Sequence, residues 1–453
     1  MSNARQIAFD LLCGVQQGEY PLDHLLDAAA DRFEDLSRPD RALAHALIYG
    51  TLRWQGRLDH VIDFWGKKPE KIDPRVRIVL RMALFQFLFM DRVPQRAIVH
   101  SAVELTKRNG RRYAAGFVNG VLRRALAAPE QVVWPDAAQD PVGWLATHHA
   151  LPPWLARRWI ERWGLTEAEA LCTAINTIPE VTLRVNTLRT DRDALLQALG
   201  QDTEQIRTTH HSPEGIVVAG FKRSLTQWSS YQAGLFQVQD EAAQLVTHLV
   251  APQPGETIWD ACAGLGTKTA HLAQLMDHRG TLLAADRQGT KLDRLENEMT
   301  RLGITMVRRQ VMDLEIPNAA DGLPSFDRIL VDAPCSGLGV LRKNPDGKWH
   351  TRPADLARCR QRQLTLLNSV AVHVRNGGRL VYAVCSMEPE ENEGVVEQFL
   401  QNRSDFAIYR PEMNEVASPE TFLTSEGYLK TMPHRHGMDG FFAVCLVRSA
   451  SSL

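Results

Sequence analysis

The stretch "ETIWDACAGLGTKTAHLAQLM" (residues 256–276) indicates the fold, because an apolar strand runs into a glycine-bearing loop that opens a helix. Gly264 and Gly266 allow a ligand to approach the backbone closely, and the start of the following helix offers free N–H donors. Lys268, in the first helical turn, is unfavourably placed against the helix dipole, so we expect it to have a role beyond helix stability. Ordinary tight turns also contain Gly-x-Gly, so the loop alone does not identify a ligand.

Strand and helix patterns alternate on both sides of this loop, from residue 236 to 450. Apolar strands are predicted in "ETIWDACAG", "GTLLAADR", "MVRRQVMD", "FDRILVDAPCSG" and "GRLVYAVCS", and an edge hairpin ends in "GFFAVCLVR". This alternation favours a parallel, doubly wound sheet with helices on both faces, a Rossmann-like α/β domain.

Chemically active side chains follow five of these strands at the point where each strand ends. They are Asp260 with Cys262, Asp286, Asp313, Asp332 with Cys335, and Cys385. A single aspartate after a strand is usually a turn former or a helix cap. Because ligands bind at the carboxyl edge of such sheets, five residues in the same topological position predict a site.

Two further regions precede the sheet domain. Residues 1–130 repeat apolar residues at three- and four-residue spacing, which predicts an all-helical bundle. Residues 145–235 contain helix and strand patterns, including "LPPWLARRWIERWG", "EVTLRV", a helix capped by Asp191 and "GIVVAGF", which predict a small α+β (RRM-like) domain.

The composition is typical of a globular protein. The 453 residues are 44% hydrophobic and 23% charged, with a formal net charge of -1. The first 127 residues hold 20 lysines and arginines against 14 acidic residues. Their basic residues gather in "KRNGRR" (107–112) and "LRR" (122–124), as expected either of a face that meets phosphates or of an ordinary solvated helix face.

Neither a signal peptide nor a membrane span is indicated, so we expect a cytoplasmic, monomeric protein that does not bind membranes. Seven cysteines are scattered without metal-ligand spacing. The sequence therefore predicts neither a disulfide framework nor a metal site, which leaves packing or catalysis for each thiol.

Cys335 and Cys385 follow adjacent predicted strands, which lie roughly 4.8 Å apart, so both thiols can face one pocket. Two thiols suit the methylation of cytosine at carbon 5, which is not nucleophilic in the aromatic ring. A thiolate that adds to carbon 6 converts carbon 5 into a nucleophile. Asp332 can hydrogen-bond the ring at N3, and the second thiol can assist when the first is expelled.

Three sequence blocks carry a family resemblance. "FQVQDEAAQLV" (236–246), "DAPCSGLGVLRKNPDGKW" (332–349) and "YAVCSMEPEENEGVV" (382–396) resemble signature blocks of RNA 5-methylcytosine methyltransferases of the NOL/NOP/SUN family. The N-terminal helical region is similar to the antitermination factor NusB. The resemblance extends over nearly the whole chain.

The resemblance implies an S-adenosylmethionine-dependent enzyme that acts on a cytidine of small-subunit (16S) ribosomal RNA. It implies Cys385 as the nucleophile and Cys335 as the residue that assists product release, with Asp332 beside them. It also implies a set of cofactor-binding residues: Cys262, Ala263, Gly264, Leu265, Gly266, Thr267, Lys268, Asp286, Asp313 and Asp332.

Two alternatives remain open. The family's loop usually reads A-P-G-G-K, whereas this chain has Gly264-Leu265-Gly266-Thr267-Lys268, which favours a ribosome-assembly factor with a degenerate methyltransferase domain. An NAD-dependent dehydrogenase shares the doubly wound sheet but gives no reason for two thiols at strand ends.

Charged residues follow both cysteine motifs. We expect Pro389 and the glutamates 388, 390, 391 and 393 to start a helix, where acidic side chains favour the dipole. We expect Arg342, Lys343 and Lys348 to contact the RNA backbone.

Overall fold

The computed structural model describes residues 3–18, 20–411 and 419–449. The chain forms two compact units. One comprises Met1–Thr177 with Leu341–Thr351, and the other comprises Ile178–Val340 with Arg352–Leu453. Among the described residues, we find no helix that is both long and apolar enough to cross a membrane.

The first unit is helical, as predicted. Its N-terminal helices are α1 Asn3–Gln17, α2 Leu22–Ala28, α3 Ala30–Glu34, α4 Arg38–Arg53, α5 Gln55–Trp65, α6 Pro74–Phe89, α7 Gln95–Arg108, α8 Ala115–Ala127, α9 Pro141–His148 and α10 Pro153–Ile175. Helix α6 has Asp73 as its N-cap and Pro74 in its first turn. Its middle is buried on every side, which makes it the central helix of the core. Helix α10 is kinked at Gly164, whose φ is 78°.

A small α+β domain follows, again as predicted. Its elements are β1 Val181–Val185, α11 Arg192–Leu199, β2 Thr203–Thr208, β3 Gly215–Phe221, α12 Ser229–Gln232 and β4 Phe236–Val238. The strands form an antiparallel sheet in the order β2-β3-β1-β4. Asp191 caps α11 by accepting a hydrogen bond from the Ala194 N–H (2.8 Å). Strands β2 and β4 were not predicted, because β2 is largely polar and β4 is only three residues long.

The C-terminal domain is the predicted Rossmann-like α/β domain. Its elements are α13 Glu241–Val250, β5 Thr257–Asp260, α14 Thr267–Leu275, β6 Thr281–Asp286, α15 Gly289–Leu302, β7 Val307–Val311, β8 Phe326–Asp332, α16 Gly347–His350, α17 Pro353–Ala371, β9 Val374–Val384, α18 Glu393–Asn402, β10 Phe406–Tyr409, α19 Pro419–Phe422, β11 Tyr428–Lys430, α20 Pro433–His436 and β12 Phe442–Arg448. Helix α16 lies within the sequence of this domain but belongs to the helical unit.

The sheet has the order β10-β12-β9-β8-β5-β6-β7, with β11 paired to β12. Strands β5 to β9 are parallel, and β12 runs antiparallel to β9. The prediction that β12 lies in an edge hairpin was wrong, because β10 also pairs with it. Apolar side chains are buried on both faces of the sheet. The chain leaves β5 towards β6 and returns to the other side of β5 with β8, so the topological switch point lies beside β5.

The segment after the Pro-Cys motif packs inside the helical unit. The Lys348 ammonium is fully buried and donates to the carbonyl oxygen of Arg53 (2.8 Å) and to Oδ1 of Asn176 (3.0 Å). Trp349 Nε1 donates to the Leu52 carbonyl oxygen (2.7 Å). Arg342 is also buried. The expectation that Lys348 and Arg342 contact RNA was therefore wrong for this structure, since both side chains serve packing.

Candidate active site at the carboxyl edge of the parallel sheet

The glycine-bearing loop forms the predicted turn between β5 and α14. Gly264 and Gly266 have φ values of 55° and 83°, and Gly266 is the N-cap of α14. A Cβ at Gly266 would lie 2.5 Å from the Leu295 side chain, so close packing excludes other residues there. The Ala263 N–H donates to the Ala285 carbonyl oxygen (2.9 Å), which fixes the loop against β6.

Three of the predicted aspartates lie at adjacent strand ends. Asp260 is buried and accepts a hydrogen bond from Thr269 Oγ1 (2.7 Å), and burial raises its pKa to about 7. Asp286 accepts from the N–H of Gly264 (3.1 Å). Asp313 accepts from the N–H of Glu315 (3.0 Å) and follows β7. The carboxylates that end β5 and β6 therefore hydrogen-bond to the glycine-bearing loop and to the helix that follows it.

A cleft opens between these strand ends. Its lining includes Cys262, Asp286, Asp313, Pro334 and Arg362. Leu265 and Thr267 line a different cleft, on the side of Tyr231 and Arg294. The structure thus brings Cys262, Asp286 and Asp313 together around one space, and it places the two unusual loop residues outside that space.

The two motif cysteines meet at the ends of neighbouring strands. The Sγ atoms of Cys335 and Cys385 are 3.2 Å apart. The hydrogen bond between the thiols, together with burial, raises the pKa of Cys335 well above its usual value. Pro334, which precedes Cys335 in the chain, is one of the residues that line the cleft.

An ion pair lies at the same edge. Lys268 Nζ is 2.5 Å from Oδ2 of Asp332. Burial lowers the pKa of Lys268, but the charges of Asp332 and Cys385 outweigh burial and raise it. Lys268 therefore carries a positive charge that interacts with both Asp332 and Cys385. These interactions give the reason for a lysine in the first turn of α14, where the helix dipole disfavours a positive charge.

Glu391 organises the two cysteine loops, a role that the sequence did not predict. It is fully buried, and its carboxylate accepts hydrogen bonds from Ser336 N–H (2.8 Å), Ser336 Oγ (2.5 Å) and Ser386 Oγ (2.5 Å). The residue after each cysteine is thus held by the same carboxylate. The expected helix start at Pro389 was wrong, because α18 begins at Glu393. Residues 388–392 instead form a turn that carries Glu391 inward.

Gly339 locks the loop that follows Cys335. Its N–H donates to the Cys385 carbonyl oxygen (2.9 Å), and its own carbonyl oxygen accepts from the Gly440 N–H (2.9 Å). A Cβ at Gly339 would lie 1.9 Å from the Gly440 carbonyl oxygen. Only glycine allows three backbone segments to approach one another here.

Arg184 is a second residue that sequence reasoning missed. It lies on β1 and is completely buried, and burial lowers its pKa to about 9. Its guanidinium donates to the carbonyl oxygen of Thr267 (2.8 Å), to Gln274 Oε1 (3.0 Å) and to Gln237 Oε1 (2.8 Å). An arginine inside a short strand gives no pattern in the sequence, yet it fastens α14 to the small domain.

Comparison with known proteins identifies the family. Residues 247–447 match the family model for 16S rRNA methyltransferase RsmB/F, residues 2–127 match the NusB family, and residues 151–223 match the RsmF/B-like ferredoxin-like domain. A probable ribosomal RNA small subunit methyltransferase B from Synechocystis is 37% identical over 99% of this chain and 100% of its own length. The chain belongs to the ribosomal RNA small subunit methyltransferase B family.

Other members of the family are similarly close. The ribosomal RNA small subunit methyltransferase B of Pseudomonas syringae is 33% identical over 99% of this chain and 98% of its own length. Among solved structures, that of PH0851 is 27% identical, covers 98% of both chains and superposes with a TM-score of 0.82. The resemblance to an RNA methyltransferase family, with a NusB-like helical domain, is therefore confirmed.

Proposed function

We propose that this chain transfers the methyl group of S-adenosylmethionine to carbon 5 of a cytidine in 16S ribosomal RNA. The observation that carries the proposal is the pair of thiols, 3.2 Å apart, that follow the neighbouring strands β8 and β9. Membership of the family supports the class of reaction and substrate. A dehydrogenase site needs no such pair.

The cleft fits the cofactor by position and by donor set. It lies at the carboxyl ends of β5, β6 and β7, where ligands of doubly wound sheets bind. Asp286 would accept hydrogen bonds from the ribose hydroxyls, and Asp313 would face the base. When bound, S-adenosylmethionine supplies an electrophilic methyl group on a sulfonium.

Cys385 is the proposed nucleophile. Its thiolate forms a bond to carbon 6 of cytosine, and the electron pair displaced from the ring makes carbon 5 nucleophilic enough to take the methyl group. The Lys268 ammonium interacts electrostatically with Cys385. Asp332, which is paired with the same lysine, would hydrogen-bond a ring nitrogen of the cytosine.

Cys335 is the proposed release residue. After methyl transfer, carbon 5 loses its proton to water, and the electrons of that C–H bond expel Cys385 from carbon 6. Because the pKa of Cys335 is raised well above its usual value, Cys335 keeps its proton at neutral pH. Its thiol can therefore donate a hydrogen bond to the departing Cys385 thiolate, which makes elimination easier.

The helical unit is the proposed RNA-binding part. Arg108, Arg112 and Arg123 are exposed on it, and Tyr113, next to Arg112 in the chain, is 76% exposed. Arginines and an exposed aromatic ring suit phosphates and unstacked bases.

The function is tested by incubating the full chain with 16S ribosomal RNA and S-adenosylmethionine, then digesting the RNA to nucleosides for mass spectrometry. We expect 5-methylcytidine from wild type and from the control Cys13→Ala, whose thiol lies on α1, and none from Cys385→Ala. Calorimetry should give equal cofactor binding for all three proteins. Methylation at another atom, or a wild type that fails to bind the cofactor, contradicts the proposal, the latter in favour of an assembly factor.

A further inference from the structure

A second cluster of chemically active side chains lies away from the thiol pair. Glu214 precedes β3 in the small domain, His248 lies in the last turn of α13, and His271 lies on α14. Oε2 of Glu214 is 2.9 Å from Nε2 of His248 and 3.9 Å from Nε2 of His271. One ligand atom from each residue lies within 4.8 Å of the other two. Residues that are distant in sequence thus converge on one point.

His271 is the unusual member of the cluster. It is fully buried, and neither of its ring nitrogens has a hydrogen-bond partner among the described residues. A buried polar group without a partner is destabilising by about 1–3 kcal/mol. Its Nε2 is directed towards Glu214, and the rings of His248 and His271 stand at 89° to each other with centroids 5.1 Å apart. The cluster therefore contains a buried imidazole with no hydrogen-bond partner among the described residues and a carboxylate oxygen 3.9 Å from it.

We infer that Glu214, His248 and His271 bind a divalent transition-metal ion of the zinc class. Two imidazoles and one carboxylate, with a fourth position for water, are a common donor set for zinc. Nitrogen donors favour zinc over magnesium or calcium. The positive charge of Arg184 also interacts with the Glu214 carboxylate and offsets its negative charge. The preference for zinc therefore depends on the two imidazole donors rather than on the net charge of the site.

The geometry needs only a small contraction to close around an ion. Bonds of about 2.0–2.1 Å to zinc place tetrahedral donor atoms closer together than the present 3.9 Å between His271 and Glu214. The side chains of Glu214 and His248 are each 14% exposed, so solvent reaches two of the three proposed ligands. Ser212 Oγ donates a hydrogen bond to Oε2 of Glu214 (3.3 Å), which helps to fix the position of this carboxylate.

The proposed ion has a structural role. It would join the small domain, through Glu214, to α13 and α14 of the methyltransferase domain. Helix α14 begins at Thr267, directly after the cofactor loop, so the ion would hold the helix that this loop opens. The sequence predicted no metal because Glu214, His248 and His271 have no recognisable ligand spacing.

The test measures zinc itself. Full-length protein is stripped with a chelator, dialysed against zinc sulfate and assayed by elemental analysis. The parent is Cys335→Ala/Cys385→Ala, which removes the thiol pair as a competing zinc site. We expect one zinc ion per chain in this parent and in the control His100→Ala. In the same background, His248→Ala and Glu214→Gln should lose the ion.

Cobalt substitution gives a second readout. Cobalt bound to nitrogen and oxygen ligands absorbs in the visible range without the near-ultraviolet thiolate charge-transfer band. His248 and Glu214 are partly exposed, so their variants are expected to fold, and a melting curve verifies this. Zinc should raise the melting temperature of the parent and not that of His248→Ala. A parent that binds no zinc, or a His248→Ala variant that binds as much as the parent, overturns the inference.

Discussion

Substitution of Gly339 by alanine should disturb the thiol pair without touching either thiol. The new Cβ would lie 1.9 Å from the Gly440 carbonyl oxygen and 2.9 Å from the Cys385 carbonyl oxygen. Real Cβ contacts are essentially never shorter than 3.0 Å, so the backbone must move by about 1.1 Å. Both neighbours are backbone atoms, so a rotation of a side chain cannot relieve the contact.

The displacement should mainly lower the rate of the chemical step. Misplacement of a reacting group by about 1 Å costs on the order of a hundredfold in rate. That factor corresponds to about 2.7 kcal/mol of activation free energy. Since Gly339 does not line the Asp286 cleft, cofactor affinity should stay near that of wild type.

The assay is single-turnover methylation of 16S ribosomal RNA, with calorimetry for cofactor binding and a melting curve for folding. The control is Gly116→Ala on α8, where an added Cβ meets nothing within 4 Å. We expect a loss of about a hundredfold in rate for Gly339→Ala and none for the control. A folded Gly339→Ala variant with the wild-type rate refutes the claim that this backbone contact positions Cys385.

Three further predictions follow from individual residues. Glu391→Gln should slow methylation by about tenfold to a hundredfold, because hydrogen bonds to a charged group contribute about 1.5–3 kcal/mol. An unchanged rate in single-turnover assays would show that the carboxylate is not needed to hold Ser336 and Ser386. Burial lowers the pKa of Lys348 to about 7, so the folded chain is destabilised by up to about 1.4 kcal/mol for each unit that the pH falls from the unfolded-state pKa of Lys348 towards 7. Lys348→Met removes this pH-dependent penalty together with the hydrogen bonds to Arg53 and Asn176. The melting temperature of the variant relative to that of wild type should therefore be highest near pH 7, and a difference that does not fall by pH 9 would contradict this. Arg108→Ala and Arg112→Ala should each weaken RNA binding and reduce the salt slope by about 1, whereas Arg32→Ala, whose guanidinium pairs with Asp10, should not; filter binding at several salt concentrations decides between an RNA-binding and a merely solvated face.

Much of the fold could be predicted because it depends on local patterns. Apolar runs that end in Asp260, Asp286 and Asp332 mark buried parallel strands, and the structure ends a strand at each of these residues. The alternation of strands and helices then dictates which edge they share. The proximity of Cys335 and Cys385 followed from the adjacency of β8 and β9.

The parts that were missed depend on contacts between distant segments. Glu391 looked like a helix-start residue because acidic residues cluster around Pro389, yet tertiary hydrogen bonds draw it into the protein. Lys348 looked like a phosphate ligand, but its segment packs in the helical unit. Strand β12 appeared to lie at the edge of the sheet, because the true edge strand, β10, is only four residues long and comes well before β12 in the chain. None of these outcomes is encoded in local spacing.

Denaturing gel electrophoresis after incubation with 16S ribosomal RNA and S-adenosylmethionine shows directly whether a covalent adduct forms through Cys385. The lanes are wild type, Cys335→Ala, Cys385→Ala and the double variant. The account predicts a retarded, protease-sensitive RNA band only for Cys335→Ala, because the adduct forms through Cys385 and cannot be released efficiently. A band that persists in the double variant, or no band in Cys335→Ala together with normal methylation, would contradict covalent catalysis by Cys385 with release assisted by Cys335.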